Sequence, residues 1–283
     1  MGDLECMAIS DGTWTYGPPT FPPPAEFLFT NAPRELLGRA LSEHGIRSEQ
    51  WTAYVSPFTC VMVNTGRHRV LVDTGADGLD PNSTGRLPRN LQAVGVETGD
   101  IDTVILTHGH GDHIGGNTDA EGKPAFPKAR YVMRKEEWTF WTSEAGKIYE
   151  EVEFAFERKN LLAIQHQVDL LDDEAEIVPG IRAVAAPGHT PGHMAVAISS
   201  HGEQLLCVSD AFLHPIHVEH PDWHGAIDMA PEQVTKTKHL LLDKAVTEKA
   251  LMLGFHFPFP GLGHVIKKGT GWQWQPVRRL DQA

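Results

Sequence analysis

The chain has 283 residues, 41% of them hydrophobic and 22% charged, which is enough to bury a sizeable core. Its net charge is −13, and no Lys/Arg run exceeds two residues apart from the mixed Arg67-His-Arg69. That balance argues against a nucleic-acid groove, which needs a basic footprint, and against docking on an anionic membrane.

The N-terminus, Met-Gly-Asp-Leu-Glu-Cys, is acidic and no apolar stretch follows it. No secretory signal or bilayer-spanning segment is therefore expected. Cys60 and Cys207 sit in apolar runs and Cys6 stands apart, the usage of a reduced, cytoplasmic protein. Residues 3–10 read as a short strand. The stretch Gly17-Pro-Pro-Thr-Phe-Pro-Pro-Pro24 is too proline-rich for helix or central strand and predicts a stiff extended loop. Residues 33–44 read as a helix, with Asn31 as its candidate cap and Pro33 in its first turn.

Residues 51–63 and 68–73 form a predicted hairpin about Asn64-Thr-Gly66. Its second strand ends at Asp73-Thr-Gly75. An aspartate there can fix a loop by accepting N–H bonds, or orient a metal-binding histidine, without itself binding metal. A helix over 86–94 precedes the apolar run Ile101-Asp-Thr-Val-Ile-Leu106. A strand is expected at 129–133, and helix over 134–163. The aromatics Trp138, Phe140 and Trp141 there read as core, with a substrate pocket as the alternative. Strands follow at 175–178, 181–186, 194–199 and 204–209, then a helix at 231–245 and a strand at 249–255. Each half thus carries strands, a helix and a histidine loop at a strand end, the expected look of a pseudo-symmetric sandwich.

The chemistry concentrates in Ile105-Leu-Thr-His-Gly-His-Gly-Asp-His-Ile-Gly-Gly-Asn117. At i and i+2 of an extended loop, His108 and His110 can point the same way. Asp112 and His113 then open a turn toward a second point, so one loop can serve two metal ions. Imidazole and carboxylate without thiolate suit Zn2+, or a similar divalent ion such as Mn2+, Fe2+ or Co2+. His189, in Pro187-Gly-His-Thr-Pro-Gly-His193, Asp210 and His256 likewise follow short apolar strands. Ligand chemistry sorts them into His108, His110 and His189 on one side and Asp112, His113 and His256 on the other, with Asp210 able to bridge. A hydroxide held between metals about 3.5–4 Å apart is ionised near neutral pH and nucleophilic.

Thr107-His-Gly-His-Gly-Asp-His113 with Gly115-Gly116 resembles the signature of the metallo-β-lactamase-fold superfamily. Asp73, His189, Asp210 and His256 follow in the expected order, so the resemblance covers roughly residues 50–265. It implies a four-layer αββα sandwich, here a single domain over 1–283 with the proline-rich 17–24 loop as an extension, a dinuclear metal site at one sheet edge, and hydrolysis. Asp210 resembles the bridging carboxylate of lactonases, glyoxalase-type thioesterases and phosphodiesterases. The antibiotic-cleaving β-lactamases generally lack it. His110 stands where the flavo-diiron branch carries Glu, which disfavours redox chemistry. Phe257-Pro-Phe-Pro-Gly-Leu-Gly-His264 and the His-rich stretch after Asp210 resemble the branch containing methyl parathion hydrolase and related lactonases. The homoserine-lactonase branch has a carbonyl-polarising Tyr three residues after the bridging Asp. Here that position is Leu213, followed by His214, a candidate for a similar donor role.

The expected activity is hydrolysis of an ester-like bond, foremost a lactone of quorum-quenching or related type, with organophosphate triesters as secondary substrates. In that reaction Asp112 passes the proton of the attacking hydroxide to the leaving alkoxide. Phe257, Phe259, Trp138, Trp141 and Trp223 are candidate walls for an apolar substrate. His217, His220 and His224 are expected in a solvent-facing loop, His193 as a hydrogen-bonding neighbour of the ligands, and His264 near the last ligand. The composition is compatible with a homodimer. A thioesterase for an anionic thiol substrate is the alternative, using Lys267-Lys268 and Arg278-Arg279, and a non-catalytic metal sensor is a third reading.

Overall fold

The computed structural model describes residues 1–143 and 155–277. Two sheets carry the chain. The first holds β1 (Glu5–Tyr16), β2 (Tyr54–Asn64), β3 (Arg69–Val72), β4 (Thr103–Ile105), β5 (Arg130–Arg134) and β6 (Val168–Leu171), hydrogen-bonded in that order. The second holds β7 (Glu176–Val178), β8 (Ile181–Ala185), β9 (Met194–Ser200), β10 (Glu203–Cys207), β11 (Leu251–Leu253), β12 (Leu262–Lys268) and β13 (Gly271–Pro276), also in order. Pairing is antiparallel in the hairpins, and parallel across β3–β4, β4–β5, β5–β6 and β10–β11, where helical segments cross over.

Alternation along the strands sets the layers. Val61, Val63, Val70, Val72 and Ile105 point inward and meet Ile181, Ala183, Met194, Val196, Ile198, Leu205 and Cys207 of the other sheet. The outward residues Cys60, Met62, Leu71, Val104 and Met133 are covered by α3 (Leu87–Ala93), α5 (Lys135–Thr142) and α6 (Ala155–Ala163). On the far side Ala195, Leu206 and Met252 pack under Leu241, Leu242 and Ala245 of α8 (Pro231–Thr247). The result is the αββα sandwich. A fourth cluster caps its ligand-bearing edge. Phe27, Leu28 and Phe29 from α1 (Pro24–Leu28) and its exit pack on Leu37 and Leu41 of α2 (Arg34–Glu43) and on Leu213, Ile216 and Trp223 around α7 (Ile216–Glu219).

Several details differ from expectation. The first strand runs on to Tyr16, because β2 is long enough to pair with all of it across a bulge at Asp11. The proline-rich stretch folds into turns and then α1 instead of lying extended. Pro33, not Asn31, precedes α2; the Asn31 side chain instead donates to Asp222 O (2.8 Å) and accepts from His224 N (3.0 Å), tying the cap together. Strands β6 and β12 show no regular alternation and β13 only the short Trp272-Gln-Trp-Gln275, and no strand is expected there from sequence. Part of the 134–163 helical stretch, residues 144–154, lies outside the described residues. No helix among those described is long and apolar enough to cross a membrane.

The bulge has a purpose in the fold. It re-aims the Asp11 side chain, which is fully buried, toward the loop after β3. Its carboxylate accepts from Ala76 N (2.9 Å), Gly85 N (3.1 Å) and Leu87 N (2.9 Å). Asp11→Ala leaves these buried amides unpaired, so a loss of roughly 3 kcal/mol is expected in urea unfolding. A loss below about 1 kcal/mol would show that water reaches them.

Candidate metal centre

Every candidate ligand stands just past a strand. β4 leads into His108 and His110, and α4 (Gly111–Ile114) begins there, carrying Asp112 and His113. β8 leads to His189, β10 to Asp210 and β11 to His256. Both loops are cross-tied at the sheet edge, with Met194 N donating to Thr107 O (3.0 Å) and Thr59 N to Phe255 O (3.1 Å).

The structure gathers these residues into two groups. The donor atoms of His108, His110, His189 and Asp210 lie within 4.8 Å of one another, as do those of Asp112, His113 and His256. Asp210 reaches both: Oδ2 is 3.3 Å from His189 Nε2 and 3.1 Å from His256 Nε2, and Oδ1 is 3.1 Å from His113 Nε2.

The outer nitrogens determine which face each imidazole presents. His189 Nδ1 donates to Asp228 Oδ1 (2.9 Å), His113 Nδ1 to Asp73 Oδ2 (2.8 Å) and His256 Nδ1 to Ser56 Oγ (2.9 Å). His108 Nδ1 faces Thr107 Oγ1 at 3.2 Å. Burial opposes it, but the carboxylates beside His113 and His189 favour their protonated forms in the metal-free protein. Once neutral, with the remaining proton directed outward, these rings turn Nε2 lone pairs inward, the tautomer a metal requires.

The donor set fits a pair of divalent cations. His110 Nδ1 lies 2.9 Å from both His108 Nε2 and His189 Nε2. Three ring nitrogens this close cannot satisfy one another by hydrogen bonds when two of the rings already donate elsewhere. His113 Nε2 and Asp210 Oδ1 are close but misaligned, and both are buried without a hydrogen-bond partner. Each group therefore aims at a common third point. Burial and the neighbouring imidazoles hold His108 and His110 well below the ordinary histidine range, so both stand neutral and ready to ligate. Burial would raise the Asp210 carboxyl, but positive charge on His256 and His113 outweighs it and holds the carboxyl well below its ordinary range, a role that bound cations would take over once those rings ligate as neutral imidazoles.

Two non-glycine residues here take left-handed backbone, Asp73 (φ 60°) and Ser209 (φ 45°). They are linked through Thr107, whose Oγ1 donates to Asp73 Oδ2 (2.9 Å) and lies 2.8 Å from Ser209 Oγ. His193 stands beneath. Its Nδ1 donates to Ala186 O (2.9 Å) and its Nε2 accepts from Asp210 N (3.2 Å), which holds the Asp210 backbone in place.

Over the two groups opens a cavity of about 250 Å³ whose walls include Trp14, Tyr16, Phe21, Phe27, Leu79 and Ile227. The aromatics expected there are elsewhere. Trp141 is buried in the core, with its ring 5.4 Å from that of His110, and Trp138 packs against the same core. Trp223 belongs to the cap, where it stacks on His220. Phe257 is fully buried against Trp274 beneath α8, while Phe259 is exposed. Proximity in sequence to a ligand is not proximity to the cavity, because each strand leaves the edge within a few residues.

The His-rich stretch is not solvent-facing. His217 is fully buried and donates through Nε2 to Leu28 O (2.9 Å); His220 and His224 are half-buried in the cap. His214 is buried among Phe29, Trp51 and Tyr54, accepts from Ile216 N (3.2 Å), and is not among the cavity-lining residues. His264 lies exposed on β12. Lys267 pairs with Asp243 (2.9 Å) over the Trp272 ring, and Arg278 and Arg279 lie outside the described residues. Sequence reasoning missed Asp228, Ser56 and Tyr16. Asp228 follows a His-rich stretch but no strand, and Ser56 and Tyr16 carried no motif.

A sequence profile described as the metallo-beta-lactamase superfamily matches residues 55–256. An N-acyl homoserine lactonase of Bacillus sp is 27% identical over 177 residues, 55% of this chain. That alignment spans 64% of the relative, just under two thirds of its length. Among solved structures, AidC, a dizinc quorum-quenching lactonase in complex with an N-hexanoyl-homoserine product, superposes with a TM-score of 0.88 at 27% identity, covering 99% of this chain and 96% of that one. The hydrolase AbOPH shares the fold, with a TM-score of 0.84 at 24% identity and coverage of 99% and 96%.

Two outcomes are expected. Asp73→Asn keeps a residue that tolerates left-handed backbone but supplies a weaker partner to His113. Metal affinity should fall by about 10–100-fold in chelator competition, with the fold retained by circular dichroism. Separately, burial pushes His214 down to about 3. Its unfolded form takes a proton below about 6.5 while the folded form does not, so this stability is complete above that pH and lost as pH falls. From pH 7 to 5 the metal-free protein should lose roughly 2 kcal/mol more than a His214→Phe variant. Parallel slopes for the two proteins would refute it.

Proposed function

The chain belongs to the metallo-beta-lactamase superfamily, and we propose that it is a hydrolase using two divalent metal ions, zinc foremost, to open an ester-like bond, in particular a lactone bearing an apolar substituent. The observation that carries this reading is the pair of ligand groups sharing Asp210 at the floor of a cavity with an aromatic and aliphatic wall. Imidazole and carboxylate donors without thiolate suit zinc or a similar divalent ion, and the dizinc lactonase of the same fold supports zinc among them. Similarity to lactonases supports a lactone over other esters.

Bound there, two divalent ions supply Lewis acidity toward a carbonyl oxygen and acidify a water to a nucleophile. The protein supplies the rest. Asp112 lines the cavity and is more exposed than Asp210. It can accept the proton of the attacking water and return it to the leaving alkoxide. Tyr16 is a neutral O–H donor on the wall. Burial, with Asp112 and Asp210 nearby, keeps its phenol far above its ordinary range and therefore protonated. We assign it the oxygen-binding role that Leu213 cannot fill. Trp14, Phe21, Phe27, Leu79 and Ile227 form the apolar wall for the substituent and exclude water from the bond. An aryl phosphotriester passes through a comparable oxyanion and is the expected secondary substrate.

Metal analysis joined to a panel of lactone, thioester, aryl phosphotriester and β-lactam substrates tests the reading. Two metals per chain and fastest turnover of a medium-chain acyl lactone are expected; failure to hydrolyse any member of the panel refutes it. Tyr16→Phe should lower kcat by about 100-fold with bound metal unchanged, whereas His214→Phe should stay within a few-fold of wild type. The opposite ranking would move the donor role to His214.

A further inference from the structure

Glu137 sits in the first turn of α5, in a stretch whose sequence shows only helical tendency, yet it is completely buried. A buried carboxylate needs donors, and this one has four. Oε1 accepts from Gly109 N (2.9 Å) and Trp141 Nε1 (2.6 Å). Oε2 accepts from Thr190 Oγ1 (2.8 Å) and Gly192 N (2.8 Å). Burial pushes its carboxyl up, but three of the four partners are N–H groups that can only donate, so the arrangement suits the anion.

The partners are informative. Gly109 lies between His108 and His110, and Thr190 follows His189 directly. One oxygen thus grips the loop carrying two ligands, and the other grips the loop carrying the third. The glycines make this approach possible. A Cβ on Gly109 would stand 2.3 Å from Trp141 Nε1, and one on Gly192 would stand 2.2 Å from the Glu137 backbone nitrogen. Trp141, held by the same carboxylate, also packs edge-on against the His110 ring. Among the described residues nothing comparable links Glu137 to the second group, whose histidines lean on Asp73 and Ser56.

We propose that Glu137 is a positioning residue that sets the separation of the two loops and so the bite of the His108, His110 and His189 site alone. The inference rests on the reading of two metal sites. Both loops hang from one helix through one planar group, so their spacing is fixed to the width of a carboxylate. Glutamine cannot replace it. With its amide oxygen kept on Gly109 and Trp141, its nitrogen could donate to the Thr190 hydroxyl but would oppose the Gly192 N–H, losing that bond and pressing the loop outward.

The test is stepwise loading of metal-free protein with Zn2+ against a chromophoric chelator, for wild type, Glu137→Gln and the milder Thr190→Val, which removes one bond of four. Wild type should bind two ions. Glu137→Gln should bind one with near wild-type affinity and the other weaker by roughly tenfold or more, with Thr190→Val between them. Substituting Co2+ gives an independent readout, since the absorption band of only one site should change in the variants. Equal weakening at both sites, or unchanged affinities with only a lower melting temperature, overturns the proposal. If Glu137→Gln does not fold, Thr190→Val alone decides by the same criteria. Wild type binding fewer than two ions would instead overturn the two-metal reading.

Discussion

Asp210 is the group on which the ligand-bearing edge depends. A carboxylate almost wholly removed from water is costly unless cations or donors surround it. Here five imidazoles crowd it or its neighbours, and their inward faces are lone pairs when the rings are neutral. Such an assembly of acceptors repels itself and becomes favourable around positive charge. The fold holds it ready by anchoring each outer face: Asp228 behind His189, Asp73 behind His113, Ser56 behind His256 and Thr107 behind His108. Preorganisation of this kind places the cost in folding, so that little need be reorganised when metal arrives.

The scaffold explains how so many groups reach one place. Parallel pairing of β3 with β4 and of β10 with β11 points successive carboxyl ends to the same edge of each sheet. Facing valines and isoleucines lock the sheets face to face, and His108, Asp210 and His256, each three residues past the last inward residue of its strand, then meet over the rim. The left-handed backbone at Asp73 and Ser209 is the local strain this convergence requires. Thr107, which touches both residues' side chains and His108, spreads that constraint across the two sheets.

The cap governs access. It combines α1, α2 and the segment after Asp210, which are far apart in sequence but stitched by backbone bonds such as Thr30 N to His224 O (2.9 Å) and Ala226 N to Phe27 O (2.8 Å). Tyr16, Phe21 and Phe27 pack as a mutually contacting trio at the cavity wall. Buried histidines within the cap, His214 and His217, serve as flat aromatic fillers, each with one ring nitrogen hydrogen-bonded to backbone. A His-rich run between prolines reads as exposed loop because histidine is polar, but an imidazole kept neutral by burial packs much as a small aromatic does.

Much was legible from residues alone. His108, His110, Asp112 and His113 are neighbours by covalent necessity, and apolar runs before His189, Asp210 and His256 mark strand ends. The candidate ligands and the layered fold follow from such local patterns. The polar partners and the cavity wall do not. Asp228 lies 39 residues from His189, and Glu137 lies 28 from Gly109 and 53 from Thr190. No periodicity announces such pairs, because their meeting depends on how separate elements pack. The wall likewise comes from β1 and α1 near the N-terminus, not from the aromatics that follow the ligands. The sequence by itself determined which atoms could hold metal. Only the tertiary structure decided how they are aimed and what closes over them, since direction is set by contacts between segments that the chain order keeps apart.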